Sequence, residues 1–142
     1  MSEYTLKAKA LLQEGCTCAL YTKTQVFRSE KRGVAPLLQW LESGEDFSEF
    51  SAADKVVGKA AAFLYVLLGA QRVYALVISE AAESVLNAYN IPVCFEERVS
   101  AIKNRDGTGF CPMEQAVLHL SDPKEAYQAI IKKLKELQEK KE

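Results

Sequence analysis

The sequence is poor in the residue patterns that announce a chemistry. It has a single histidine, four cysteines and seven glycines. One histidine excludes an H-E-x-x-H zinc site. A Ser-His-Asp triad would have to use that same residue, and no nucleophile elbow accompanies it. His119 sits between Leu118 and Leu120, with no ligand partner at metal spacing, so it reads as a structural or surface residue. Cys16, Cys18, Cys94 and Cys111 contain no C-x-x-C pair, so neither a zinc ribbon nor a dithiol redox motif is present. The glycines form neither G-x-x-x-x-G-K-[ST] nor G-x-G-x-x-G, which excludes the common phosphate-loop fingerprints.

Charge of one sign is also missing. Eighteen basic and nineteen acidic residues give a formal net charge of −1. No basic excess exists to neutralise a duplex backbone, so general nucleic-acid binding is not expected. The longest apolar stretch, residues 60–70, is too short to cross a bilayer. The N-terminus lacks a basic segment followed by an apolar run, so no signal peptide is read. These absences point to a cytoplasmic protein with reduced thiols, packing roles for Cys16 and Cys18, no cofactor and no membrane partner.

What is present is an ordinary globular composition. Hydrophobic residues make up 49% and charged residues 26% of the 142 positions, which excludes a disordered chain. That length suits one domain over 1–142.

The pattern along the chain alternates. Residues 6–12 read as a short helix ended by Gly15. Residues 16–24 and 25–30 read as a hairpin. Residues 34–41 have apolar positions at helical spacing, with Pro36 in the first turn. Ser51-Ala52-Ala53-Asp54 has the form of a capping box, and Val56, Val57, Ala60, Phe63, Leu64 and Leu67 follow at helical spacing to Gly69. This predicts a central buried helix with Gly58 inside it. Residues 72–79 are a continuous apolar run, the signature of a strand covered on both faces. Residues 80–89 read as a helix, 91–99 as a strand and 101–110 as a polar loop. Residues 112–120 read as a short helix, and Asp122 and Pro123 open a last one over 122–142. The expected class is a three-layer α/β/α domain with a mixed sheet and an N-terminal hairpin.

Three segments are richer in polar groups than their structural work requires. In the first, Lys55 and Lys59 fall one helical turn apart, a repulsive pair that an anion would offset; Asp54 beside them is a candidate general acid/base. In the second, Ser79 and Glu80 lie where a buried strand meets the next helix, the usual ligand edge of an open α/β sheet; Ser79 is equally an ordinary helix cap. The third runs through Asn104, Arg105, Asp106, Gly107, Thr108 and Gly109 to Cys111, Pro112, Met113 and Glu114. Proline at the first helical position puts Cys111 at the N-cap. A thiol there feels the positive end of the helix dipole, which makes it a candidate nucleophile. Asn104, Arg105, Asp106, Thr108 and Glu114 are candidate binding groups, with Lys59, Ser79 and Glu80.

These segments resemble an uncharacterised prokaryotic family whose fold is similar to the cytidine deaminases. The matching stretches are residues 53–61, Val77-Ile78-Ser79-Glu80, and residues 104–109 with Cys111, Pro112, Met113 and Glu114. The resemblance implies a deaminase-like core over 16–114 and a site where two helix N-termini meet. Deaminases carry H-x-E and P-C-x-x-C at those turns. This sequence has neither, so no zinc is expected. The functions that follow are a zinc-independent enzyme acting on a small polar or anionic metabolite, nucleotide-like or amine-bearing, or a non-catalytic binding module. Tyr127, Ile130, Leu134 and Leu137 form an apolar seam on the last helix. It either docks on the chain's own core or pairs two chains as a homodimer.

Overall fold

The computed structural model describes residues 2–103, 109 and 111–141. Among them the chain forms α1 (Glu3–Gln13), β1 (Cys18–Tyr21), β2 (Val26–Ser29), α2 (Ala35–Glu42), β3 (Ser51–Val57) and α3 (Lys59–Leu68). It continues through β4 (Val73–Ser79), α4 (Glu80–Ala88), β5 (Val93–Val99), α5 (Pro112–Val117) and α6 (Pro123–Lys141). The strands make one mixed sheet in the order β2-β1-β3-β4-β5. β1 is antiparallel to β2 and β3, whereas β3, β4 and β5 run parallel.

The sheet separates two apolar layers. Ala8, Leu11 and Leu12 of α1 pack on Ala19, Tyr21, Ala53 and Tyr74. Alternate residues of the same strands, including Leu20, Ala52 and Ala75, face the opposite layer with Leu37 of α2, Phe63 of α3 and Leu86 of α4. The mixed α/β architecture expected from the sequence is therefore present.

One segment departs from its expected form. Residues 51–54 do not cap a helix; they begin the central strand, β3. Local propensity favours a helix here, and tertiary context overrides it. β3 is flanked on both edges and covered on both faces, and Ala52 and Ala53 are fully buried between the layers. Their small side chains let the helices approach. Lys55 and Lys59 consequently lie on a strand and a helix, not one turn apart on a shared face. Gly58 is the extended N-cap of α3 (φ −94°, ψ 179°) instead of a mid-helix residue. The helix ends at Gly69, whose φ of 78° is the left-handed form glycine adopts without strain.

The seam on α6 meets its own chain. Ile130 is fully buried, and Tyr127, Leu134 and Leu137 are partly buried against the same core. No helix among the described residues is long and apolar enough to cross a membrane.

Candidate functional site

The connectivity turns around at one place. From β1 the chain moves outward to β2; from β3 it moves the other way to β4 and β5. Ligand crevices in open α/β sheets form beyond the carboxyl ends of strands at such a reversal. A cleft of about 590 Å³ lies here, bordered by Thr17 and Cys18 at the start of β1 and by Asp54, Lys55 and Val56 of β3. Lys31 and Arg32 come from the β2–α2 connection, Ile102 and Lys103 from the segment after β5, and Cys111, Met113 and Glu114 from α5 and its cap.

Asp54 is the buried acid of this cleft, with 8% of its surface exposed. The β3–α3 unit folds back so that Tyr65, wholly buried on α3, donates its hydroxyl to Asp54 Oδ2 at 2.6 Å. The Val56 backbone N–H donates to Oδ1 at 3.3 Å. Burial pushes the Asp54 carboxyl up to about 7, against the opposing pull of these hydrogen bonds. Burial also pushes the Cys18 thiol up, helped by the Asp54 charge, and holds the Tyr65 hydroxyl protonated well beyond its ordinary range.

Glu114 does something the sequence did not suggest. Its Oε1 accepts from the Lys59 backbone N–H at 2.7 Å and its Oε2 from that of Ala60 at 2.9 Å. A carboxylate from α5 therefore caps α3, satisfying two of the free amides of its first turn. This explains Gly58. A β-carbon there would lie 2.5 Å from Glu114 Oε1 and 2.8 Å from Oε2. The Lys59 side chain returns the contact, donating to the Leu118 carbonyl at the end of α5 at 3.0 Å.

The candidate residues thus divide. Asp54, Lys55, Cys111 and Glu114 border one cleft. Lys59 and Ser79 border a neighbouring cavity of about 90 Å³, and Glu114 and Ile102 line both. The Ser79 hydroxyl accepts from the Ala82 N–H at 3.1 Å and caps α4. Glu80 is exposed in the first turn of α4 and borders neither cavity. Cys111 is the N-cap of α5, half-buried, and its side chain makes no capping hydrogen bond. Asn104, Arg105, Asp106 and Thr108 lie outside the described residues. Among the described residues, no group of three His, Cys, Asp or Glu is placed to hold a metal ion.

Sequence reasoning missed Tyr65, Lys31, Arg32 and Lys103. Tyr65 is hidden within an apolar helical run. Its signal was a polar tip in a helix that is otherwise apolar after Lys59, since a buried tyrosine hydroxyl needs a partner. Lys31 and Arg32 sat before a glycine in a connection that read only as a break.

Fold and site together describe a mixed α/β protein with a cleft at the reversal of its sheet, bounded by two acids, two thiols and several cations. The family model for a domain of unknown function, DUF1893 (TM1506), matches residues 7–134, and the chain belongs to that family. It is similar to the crystal structure of a DUF1893 family protein (TM1506) from Thermotoga maritima, with a TM-score of 0.84 and 25% identity over 94% of this chain and 92% of that one. No curated protein matches the chain.

Proposed function

We propose that the cleft is the site of an enzyme acting on a small polar or anionic metabolite, with Asp54 as its general acid/base. The observation that carries this reading is the Asp54 carboxyl, buried at the floor of the cleft and pushed up to about 7. A carboxyl in that range has both protonation states populated near neutral pH, which suits it to accept a proton and return it. Tyr65 holds the carboxyl in one orientation through Oδ2. Lys55, next in the chain, favours negative charge on the bound molecule, and Cys111 offers a thiol from the α5 side of the cleft.

We further read the fold as related to the cytidine deaminases. A hairpin followed by β-α-β-α-β with three parallel strands supports that relation. The zinc of those enzymes does not fit the side chains here. The turn before α3 presents Gly58, and the turn before α4 presents Ser79 with its hydroxyl engaged in the cap. A non-catalytic binding module is the second reading, favoured by this lack of metal-ligating side chains at both turns.

The test is a thermal-shift screen of the full chain against nucleotides, amines and small acids, since a ligand that binds the native state raises its melting temperature. Each hit is then incubated with the protein and followed by mass spectrometry. The enzyme reading requires consumption of a hit, with turnover abolished by Asp54→Asn. An unchanged rate in that variant refutes it. A hit that binds and is never consumed selects the binding module.

A further inference from the structure

We infer that the cleft takes a phosphate-bearing ligand, its phosphoryl group held by Lys31, Arg32, Lys55 and Lys103 and its remainder directed towards Asp54. The inference rests on the reading of this cleft as a small-molecule site. Three separate segments deliver these four cations: the β2–α2 connection, β3, and the chain after β5. Lys31, Arg32 and Lys103 are exposed and Lys55 is half-buried. Four cations elsewhere form ion pairs: Lys9 with Glu96, Arg28 with Glu14, Arg98 with Glu83 and Lys133 with Glu136. Among the described residues, none of the four cleft cations forms an ion pair.

The described acids of the cleft, Asp54 and Glu114, form no ion pair with them and are engaged by other groups. Both oxygens of Glu114 are taken by backbone N–H groups of α3. Those of Asp54 face Tyr65 and the Val56 N–H. Among the described residues the cleft therefore carries four cations against two carboxylates, an excess of positive charge in a chain of formal charge −1, which raises the local concentration of anions. A phosphate monoester carries a charge of about −1.5 to −2 near neutral pH and three acceptor oxygens. That matches several cations better than a single carboxylate does, and the planar guanidinium of Arg32 suits phosphate geometry. The cleft's 590 Å³ falls within the roughly 300–1,000 Å³ of small-molecule sites.

The experiment is isothermal titration of the full chain at low ionic strength with inorganic phosphate, pyrophosphate and succinate. Pyrophosphate is expected to bind tightest, and both phosphates about tenfold or more tighter than succinate. The Lys31→Ala/Arg32→Ala double variant, altered only at exposed positions, should weaken pyrophosphate about tenfold or more. Lys133→Ala, which removes one positive charge from a paired position on α6, should leave binding unchanged. Failure of either phosphate to bind, equal binding of succinate, or insensitivity to the double variant overturns the inference. A metabolite consumed in an Asp54-dependent way by a protein that binds no phosphate overturns this inference alone. Phosphate binding with turnover indifferent to Asp54→Asn overturns the proposed function alone.

Discussion

The contact between Gly58 and Glu114 predicts a strong coupling in a double-mutant cycle. In the native chain, a methyl group at position 58 would meet the Glu114 carboxylate at 2.5–2.8 Å. The carboxylate sits at the end of a flexible side chain and can move aside. Moving aside costs the hydrogen bonds to Lys59 and Ala60. Hydrogen bonds to a charged group are each worth about 1.5–3 kcal/mol in mutational series. These two are only part-buried, and caps as a class contribute about 0.5–2 kcal/mol, so about 2 kcal/mol for the pair is the working figure. Gly58→Ala should therefore destabilise by about 2 kcal/mol, and Glu114→Ala by a similar amount. The backbone at position 58 is ordinary extended chain, which alanine adopts freely. Once Glu114 is shortened, Gly58→Ala loses the steric part of its penalty and keeps only the cost of alanine against glycine at an N-cap, about 1 kcal/mol or less. The assay is urea unfolding followed by the fluorescence of Trp40, the sole tryptophan, with slopes compared to verify that the denatured states match. An undiminished Gly58→Ala penalty in the Glu114→Ala background refutes the coupling, because two sites without mutual contact add.

Asp54 makes a prediction in pH. Its carboxyl titrates near 7 in the folded chain and near 3.9 when unfolded. Between those values the native state binds the extra proton, so stability falls as pH rises from about 4 to about 7 and levels off above. Asp54→Asn should remove that slope and stabilise the protein at pH 8, by at most about 4 kcal/mol for a shift of roughly 3 units; urea midpoints across pH 4–8 check it, and an unaltered slope would contradict the burial argument. Brief alkylation of the native protein should label Cys94, which is exposed, and more slowly Cys111, which is half-buried, and spare the buried Cys16 and Cys18. Peptide mass spectrometry reads the sites, and pyrophosphate should protect Cys111 without protecting Cys94. Truncating Ile130, fully buried on α6, to alanine should cost about 2–5 kcal/mol; a loss below 1 kcal/mol would mean that the seam contributes little to the core.

Periodicity and punctuation revealed the hairpin, α2 behind Pro36, the buried strand β4, the cap at Ser79 and the start of α5 after Cys111. Each is set by local chemistry: β-branched alternation, a proline that fits a first turn, a hydroxyl that can accept an amide. β3 is set by its neighbours. Ser51-Ala52-Ala53-Asp54 favours a helix by propensity, and only the layers on either side demand small residues in a strand. The same misreading hid the reason for Gly58, since its partner stands 56 positions later. Asp54, Lys55, Cys111 and Glu114 were recognisable as polar groups in unusual settings. Their meeting in one cleft was not, because it depends on how β3, α3 and α5 pack. The cations at 31, 32 and 103 carry no local signal at all, being charged residues in exposed connections.

The cap on α3 has a consequence for biosynthesis. The amide of Lys59 waits for a carboxylate 55 residues downstream. At about 5–20 residues per second, Glu114 follows Lys59 out of the ribosome by roughly 3–11 seconds. Throughout that interval the nascent chain can pair β1 to β3 and start burying α3, yet the leading turn of its central helix has no terminator. Completion of the sheet and completion of the helix are therefore separate events on the ribosome, and the second must follow the emergence of α5.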